Sequence, residues 1–184
     1  MPGIFEGIQA IAEALGCLSC GEQLSSKIRL ELKEVQAAVA GRPKPHVFLL
    51  LGRRPGSLTG LYTTGQGTFL TEVIEIAGGT NIFADVHNPY PQASKESLVQ
   101  RAPEVILEMH PGRTFTPEEI KRLKEDWSAM PSLPAVRTGQ IYVITEDFAL
   151  IPGPRVGRLA RRIASVLHGE WPKLPKVQKR QEVR

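Results

Sequence analysis

Residues 65–81, GQGTFLTEVIEIAGGTN, decide how the rest of the chain is read. Two glycines and two polar residues open the stretch as a loop. Phe69, Leu70, Val73, Ile74 and Ala77 then recur at the spacing of one buried helical face. Gly78 and Gly79 stop the helix, because glycine tolerates the left-handed backbone that a C-cap demands. The spacing therefore predicts loop, helix and tight turn, with one helical face anchored. The loop ahead of the helix leaves backbone N–H groups at a helix N-terminus, a place suited to polar or anionic ligand groups.

Working outward, residues 46–51 (HVFLLL) are an almost wholly apolar run between proline and glycine, as in a strand buried on both faces. Leu61-Tyr-Thr reads as a short strand leading into the opening stretch. Downstream, Ser94 caps a short helix with Glu96 and Ser97 in its first turn, and Pro103-Glu-Val-Ile-Leu-Glu gives another strand. Thr116-Pro-Glu-Glu opens a helix that carries Ile120, Leu123 and Trp127 inward. Residues 140–144 (QIYVI) form the last strand, and the last helix buries Val156, Leu159, Ala160, Ile163 and Leu167. Before all of these, Ile4, Phe5, Ile8, Ile11, Ala12 and Leu15 mark a first helix closed by Gly16. After a turn ending at Gly21, a second amphipathic helix of about twenty residues follows, long enough to act as a strut. Strands alternate with helices from position 46 to 168, so the expected class is α/β with a mainly parallel sheet. Ligands in such sheets gather at the carboxyl ends of the strands.

With 184 residues, 41% of them hydrophobic, the chain can build one ordinary core. Its net charge of +4 resides entirely in residues 171–184, which carry five basic residues and one acid. A frayed basic tail is the simpler reading, and no nucleic-acid partner is expected. No apolar run approaches the roughly 20 residues that span a bilayer, and the first residues lack the features of a signal peptide. Cys17 and Cys20 form a lone CxxC between helical patterns; it is read as turn residues rather than a redox or zinc site, with pairing left open. Of the histidines at 46, 87, 110 and 168, only His87, near Asp85, stands in a functional setting, and a polar loop residue is preferred there to a metal ligand. The loop from Gly52 to Gly60, with Arg53 and Arg54, lacks the Gly-Lys-Ser/Thr ending of a phosphate cradle. Gly65-Gln-Gly67 fails the dinucleotide fingerprint, since Leu70 stands where a third glycine belongs. No catalytic set and no metal set emerges. Loops rich in Gly, Pro, Tyr and Asn remain, and these are binding-site material: Tyr62, Tyr90, Phe148 and Pro152 offer an apolar wall and Arg155 a charge.

Taken in order, Gly65-x-Gly-Thr-Phe-Leu, Ala77-Gly-Gly-Thr-Asn, Tyr90-Pro-Gln-x-Ser-x-Glu96, Ala102-Pro-Glu-Val-Ile, Trp127, Leu133-Pro-Ala-Val-x-x-Gly-Gln-Ile-Tyr-Val and Pro152-Gly-Pro-Arg155 resemble the substrate-binding proteins of ABC importers for cobalamin, ferric siderophores and haem. The resemblance implies two lobes joined by a stiff helix, with the ligand clamped between. On that plan residues 1–21 are a remnant of the N-terminal lobe, 22–41 the strut helix, 42–169 a three-layer Rossmann-like C-terminal lobe and 170–184 a basic tail. Most of the N-terminal lobe and the export signal would be absent from this sequence. The implied ligand-facing residues are Thr64, Gly65, Gln66, Gly67, Thr68, Asn88, Tyr90, Phe148, Pro152 and Arg155, with Glu96 docking on arginines of the ABC permease. The ligand would be an iron chelate or a corrinoid, the chain would have no cofactor of its own, and its location would be the periplasm or cell envelope. The alternative expectation is a stand-alone interaction module that self-associates as a homodimer or pairs with a separate lobe.

Overall fold

A computed structural model describes residues 1–54 and 56–169, so the basic run expected at 170–184 lies outside the described residues. At its centre is β1 (His46–Gly52), whose Val47, Phe48, Leu49 and Leu50 are fully buried. Successive side chains of a strand point to opposite faces, and β1 accordingly feeds two cores. Val47 and Leu49 pack with helices on one side, while Phe48 and Leu50 pack with a second apolar cluster on the other. This is why an unbroken apolar run, rather than an alternating one, specifies this strand.

The sheet order is β4-β2-β1-β5-β6, and β3 lies beside β1 off that path. β3 (Thr80–Asn81), β5 (Val105–Met109) and β6 (Ile141–Ile144) run parallel within the ladder around β1. β2 (Leu61–Thr63) and β4 (Gln92–Ala93) form an antiparallel edge. The α/β class with a mostly parallel sheet is thus realised as helix, sheet and helix layers.

On one face lie α1 (Pro2–Ala14), α2 (Leu18–Ala38), α3 (Phe69–Ile76) and α7 (Val156–His168). Their Ile4, Ile8, Ile28, Val35, Val73, Ile74 and Ile163 join Val47 and Leu107 in one continuous core. The other face carries α4 (Lys95–Arg101), α5 (Pro117–Glu125), a 3-10 turn (Asp126–Ala129) and α6 (Pro134–Arg137). None of the helices among the described residues is long and apolar enough to cross a membrane.

Three expectations need correction. The second helix begins at Leu18 rather than at 22, and Gly21 lies inside it: a Cβ there would stand 2.6 Å from the Ala12 Cβ, so glycine lets α1 close on α2 instead of ending a turn. α5 buries none of its residues, leaving Ile120 and Leu123 half-buried. Trp127 is fully buried, but it is carried by the 3-10 turn after α5. In α7 the stripe is completed by Ala164, with Leu167 only partly buried.

Candidate functional site

Thr64 to Thr68 leave the sheet where β2 ends, and their polar groups are largely consumed within the protein. Thr68 caps α3 by accepting from the Thr71 N–H at 3.2 Å, and the Thr71 hydroxyl donates to the Gly65 carbonyl at 2.7 Å. Asn81, at the end of β3, donates to the Thr64 carbonyl at 2.9 Å and to the Thr71 hydroxyl at 2.8 Å, while its own side-chain oxygen accepts from Phe83 N–H at 3.1 Å. Thr64 and Thr68 are within hydrogen-bond reach of each other. Thr68 thus satisfies one donor at the start of α3 with its own side chain. Thr64, Gly65 and Thr68 are buried and shape this lip, and Gln66 and Gly67 are its exposed members.

A second loop is laminated onto the first. Gly65 N–H donates to the Pro89 carbonyl at 2.8 Å, Gln66 N–H to the Val86 carbonyl at 2.8 Å and Thr63 N–H to the Pro91 carbonyl at 3.0 Å. A Cβ on residue 65 would stand 2.1 Å from the Asn88 carbonyl oxygen, so only glycine permits this approach. The structure thus brings residues 64–68 together with Asn88 and Tyr90. The Asn88 side chain accepts from Tyr90 N–H at 3.0 Å, in an Asx turn that presents an exposed Tyr90 ring. Asp85 is held by Arg101 at 2.7 and 3.0 Å, and that guanidinium pulls its pKa below the ordinary value.

Phe148, Pro152 and Arg155 form a separate cluster beyond β6. The Arg155 guanidinium lies 4.9 Å from the Phe148 ring centre and donates to Asp147 at 3.2 Å. Pro152, Gly153 and Pro154 border α1 and α2, together lining an apolar groove of about 500 Å³. Among the described residues no hydrogen bond joins this cluster to the 64–68 lip. Tyr62 is exposed on β2. Glu96 is exposed in the first turn of α4, beside the reciprocal Ser94–Ser97 cap. Its own backbone N–H and the Ser94 hydroxyl hold its carboxyl below the usual range, so it stays ionised and free to pair with a cation.

Sequence reasoning missed the most concentrated polar assembly, which sits at the carboxyl ends of β1 and β5. Glu108 is only 1% exposed, and accepts from Arg53 Nε at 2.9 Å, His110 Nε2 at 2.9 Å and Trp127 Nε1 at 3.0 Å. Arg53 also donates to Asp126 at 2.6 Å. Burial pushes the Glu108 carboxyl up, but the donors from His110, Trp127 and Arg53 outweigh it and the net shift is downward. For Arg53, burial pulls down while Glu108 and Asp126 pull up, and the net is upward. Both groups remain charged. The available signal was an acid inside an otherwise apolar strand, which demands a buried cation from elsewhere. Beside this assembly, His110 meets Phe115 edge-on at 5.1 Å between ring centres, with Arg113 over the same ring. Among the described residues no three His, Cys, Asp or Glu side chains gather as metal ligands.

Residues 2–148 match the family described as periplasmic binding protein. The chain belongs to that family. This binding-protein chain is 27% identical to the vitamin B12-binding protein of Salmonella typhi over 167 residues, which cover 87% of it and 57% of the relative. Its fold superposes with a TM-score of 0.76 on an ABC-type Fe3+-hydroxamate transport protein from Saccharomonospora viridis, at 22% identity, covering 90% of this chain and 55% of that one. A periplasmic heme-binding protein from Roseiflexus gives a TM-score of 0.69 at 24% identity, covering 88% and 60%. The chain therefore spans somewhat more than half the length of these relatives. They are binding proteins of transport systems, not enzymes.

Proposed function

We propose that this chain is the C-terminal, ligand-facing lobe of a substrate-binding protein that delivers cobalamin, a ferric siderophore or haem to an ABC permease, without catalysis. In this reading α2 is the strut and residues 42–169 are the lobe. The observation that carries the reading is the pair of loops at 64–68 and 86–90, locked by backbone hydrogen bonds so that Gln66, Gly67, Asn88 and Tyr90 stand exposed on a rigid support. Rigidity before binding lowers the ordering cost that a ligand must overcome. Phe148, Pro152 and Arg155 supply an apolar wall and a charge from a second rim. The ligand in this reading is an organic chelate or corrinoid, whose metal is enclosed before it meets the protein. Glu96, exposed and ionised, suits docking on arginines of the permease, and the setting would be the periplasm or cell envelope.

Spectroscopic titration of the chain with cyanocobalamin, haemin and a ferric hydroxamate tests the proposal. One of the three is expected to bind saturably, with affinity falling on the order of tenfold, about 1.4 kcal/mol, in Tyr90→Ala or Arg155→Ala. Absence of saturable binding by all three, to the chain alone and to the chain completed by an N-terminal lobe, overturns it. Glu96→Gln should leave that affinity unchanged and weaken stimulation of the permease's ATPase.

A further inference from the structure

Cys17 and Cys20 are joined as a disulfide at the corner between α1 and α2. The binding function has no use for this bridge, and as a staple it does little: the closed segment is only three residues long in sequence separation, where loop-closure stabilisation is smallest. The two sulfurs also differ in setting. Cys20 is exposed, whereas Cys17 is half-buried and occupies the N-cap of α2, a helix of 21 residues.

No side chain caps that helix start, and its first turn holds no acid. Among the described residues, the Leu18 and Ser19 N–H groups have no protein acceptor, while those of Cys20 and Gly21 turn to the Cys17 carbonyl. A Cys17 thiolate would face these free donors and the positive end of the helix, as a bridged sulfur cannot do with equal effect. Reduction therefore supplies the missing cap. Both cysteines also open on the apolar groove of about 500 Å³ shared with Leu15, Leu24 and Pro152, so a thiol on a small molecule or peptide has access.

We propose that Cys17 and Cys20 are a thiol–disulfide exchange site, a redox-responsive modification point whose groove shares Pro152 with the proposed chelate rim. An incoming thiolate attacks the exposed Cys20 Sγ; the Cys17–Cys20 S–S bond breaks, its electron pair leaves on Cys17, and a mixed disulfide forms on Cys20. A second thiol attacks the external sulfur of that mixed disulfide, releasing Cys20 and the oxidised external disulfide. Two electrons pass from two external thiols to the protein pair. Of the two protons that accompany them, one stays on Cys20, and the other goes to solvent wherever Cys17 remains a thiolate. The lower the pKa of Cys17, the better it leaves in the first step.

The test equilibrates the full chain with mixtures of reduced and oxidised glutathione, quenches with an alkylating reagent and counts mass increments. The pair should pass from fully bridged to fully alkylated within the accessible range of mixtures. A bridge that persists in about a thousandfold excess of reduced over oxidised glutathione overturns the proposal. In the reduced protein, Cys17 alkylation at neutral pH should slow about tenfold in Ser19→Asp, which sets a carboxylate in the first turn. A wild-type Cys17 that alkylates like a free thiol, indifferent to Ser19→Asp, also overturns it. Neither readout involves a chelate, so failure of ligand binding would leave this site standing.

Discussion

Glu108 shows how much one buried carboxylate can organise when every donor around it is in place. Trp127→Phe removes one of its three side-chain partners and part of a packed ring, and should destabilise the fold by about 1–3 kcal/mol from the lost donor alone. A lower urea midpoint at unchanged slope would register it. The same carboxylate sets an acid limit. Its folded pKa lies below the ordinary 4.5, so its contribution to stability is fully present above that value. It is lost as the pH falls through the lower folded pKa. Urea midpoints measured from pH 7 down to pH 3 should therefore drop for the wild type in the acid range and drop less steeply for Glu108→Gln, which starts lower; parallel curves would refute the assignment.

At the scale of elements, the lip formed by residues 64–68 depends on a backbone approach that admits no side chain. Gly65→Ala should cost about 1–3 kcal/mol of stability by overpacking against the Val86 and Asn88 carbonyls. It should also loosen the 86–90 loop, seen as faster amide exchange at Gly65 and Gln66. The start and stop of α3 were legible because Thr68 and Gly78 are local signals: a hydroxyl cap and a glycine at φ +78. β1, β5 and β6 were legible as apolar runs. β3 and β4 were not, since two residues are too few to show any periodicity and their pairing is decided by β1 and β2. The Glu108 assembly was illegible for a different reason. Its members lie at 53, 108, 110, 126 and 127, and nothing in the local pattern of any one of them names the others. Of the candidate site, the resemblance implied that the 64–68 and 88–90 loops face one cleft, but the buried polar packing behind Thr64 and Thr68 was not legible, because it joins Asn81 to the Thr64 carbonyl and the Thr71 hydroxyl from a separate strand.

For the molecule as a whole, α1 and α2 are not appendages to the sheet. Met1, Ile4 and Ile8 share one continuous core with Val47, Leu107 and Ile163. Denaturant unfolding of the described body should therefore be a single transition, with helical ellipticity and near-ultraviolet signals changing together. Two separated transitions would mean that the α1–α2 hairpin melts on its own. The outer rim of the sheet has a further consequence. It ends in β4, a strand of two residues that follows Pro91 and runs at once into the Ser94 cap. An unfolded or foreign chain seeking a template there finds almost no ladder to copy. In the proposed reading, where the exposed loops receive a ligand, the adjoining edge is thereby kept from becoming a seed for aggregation.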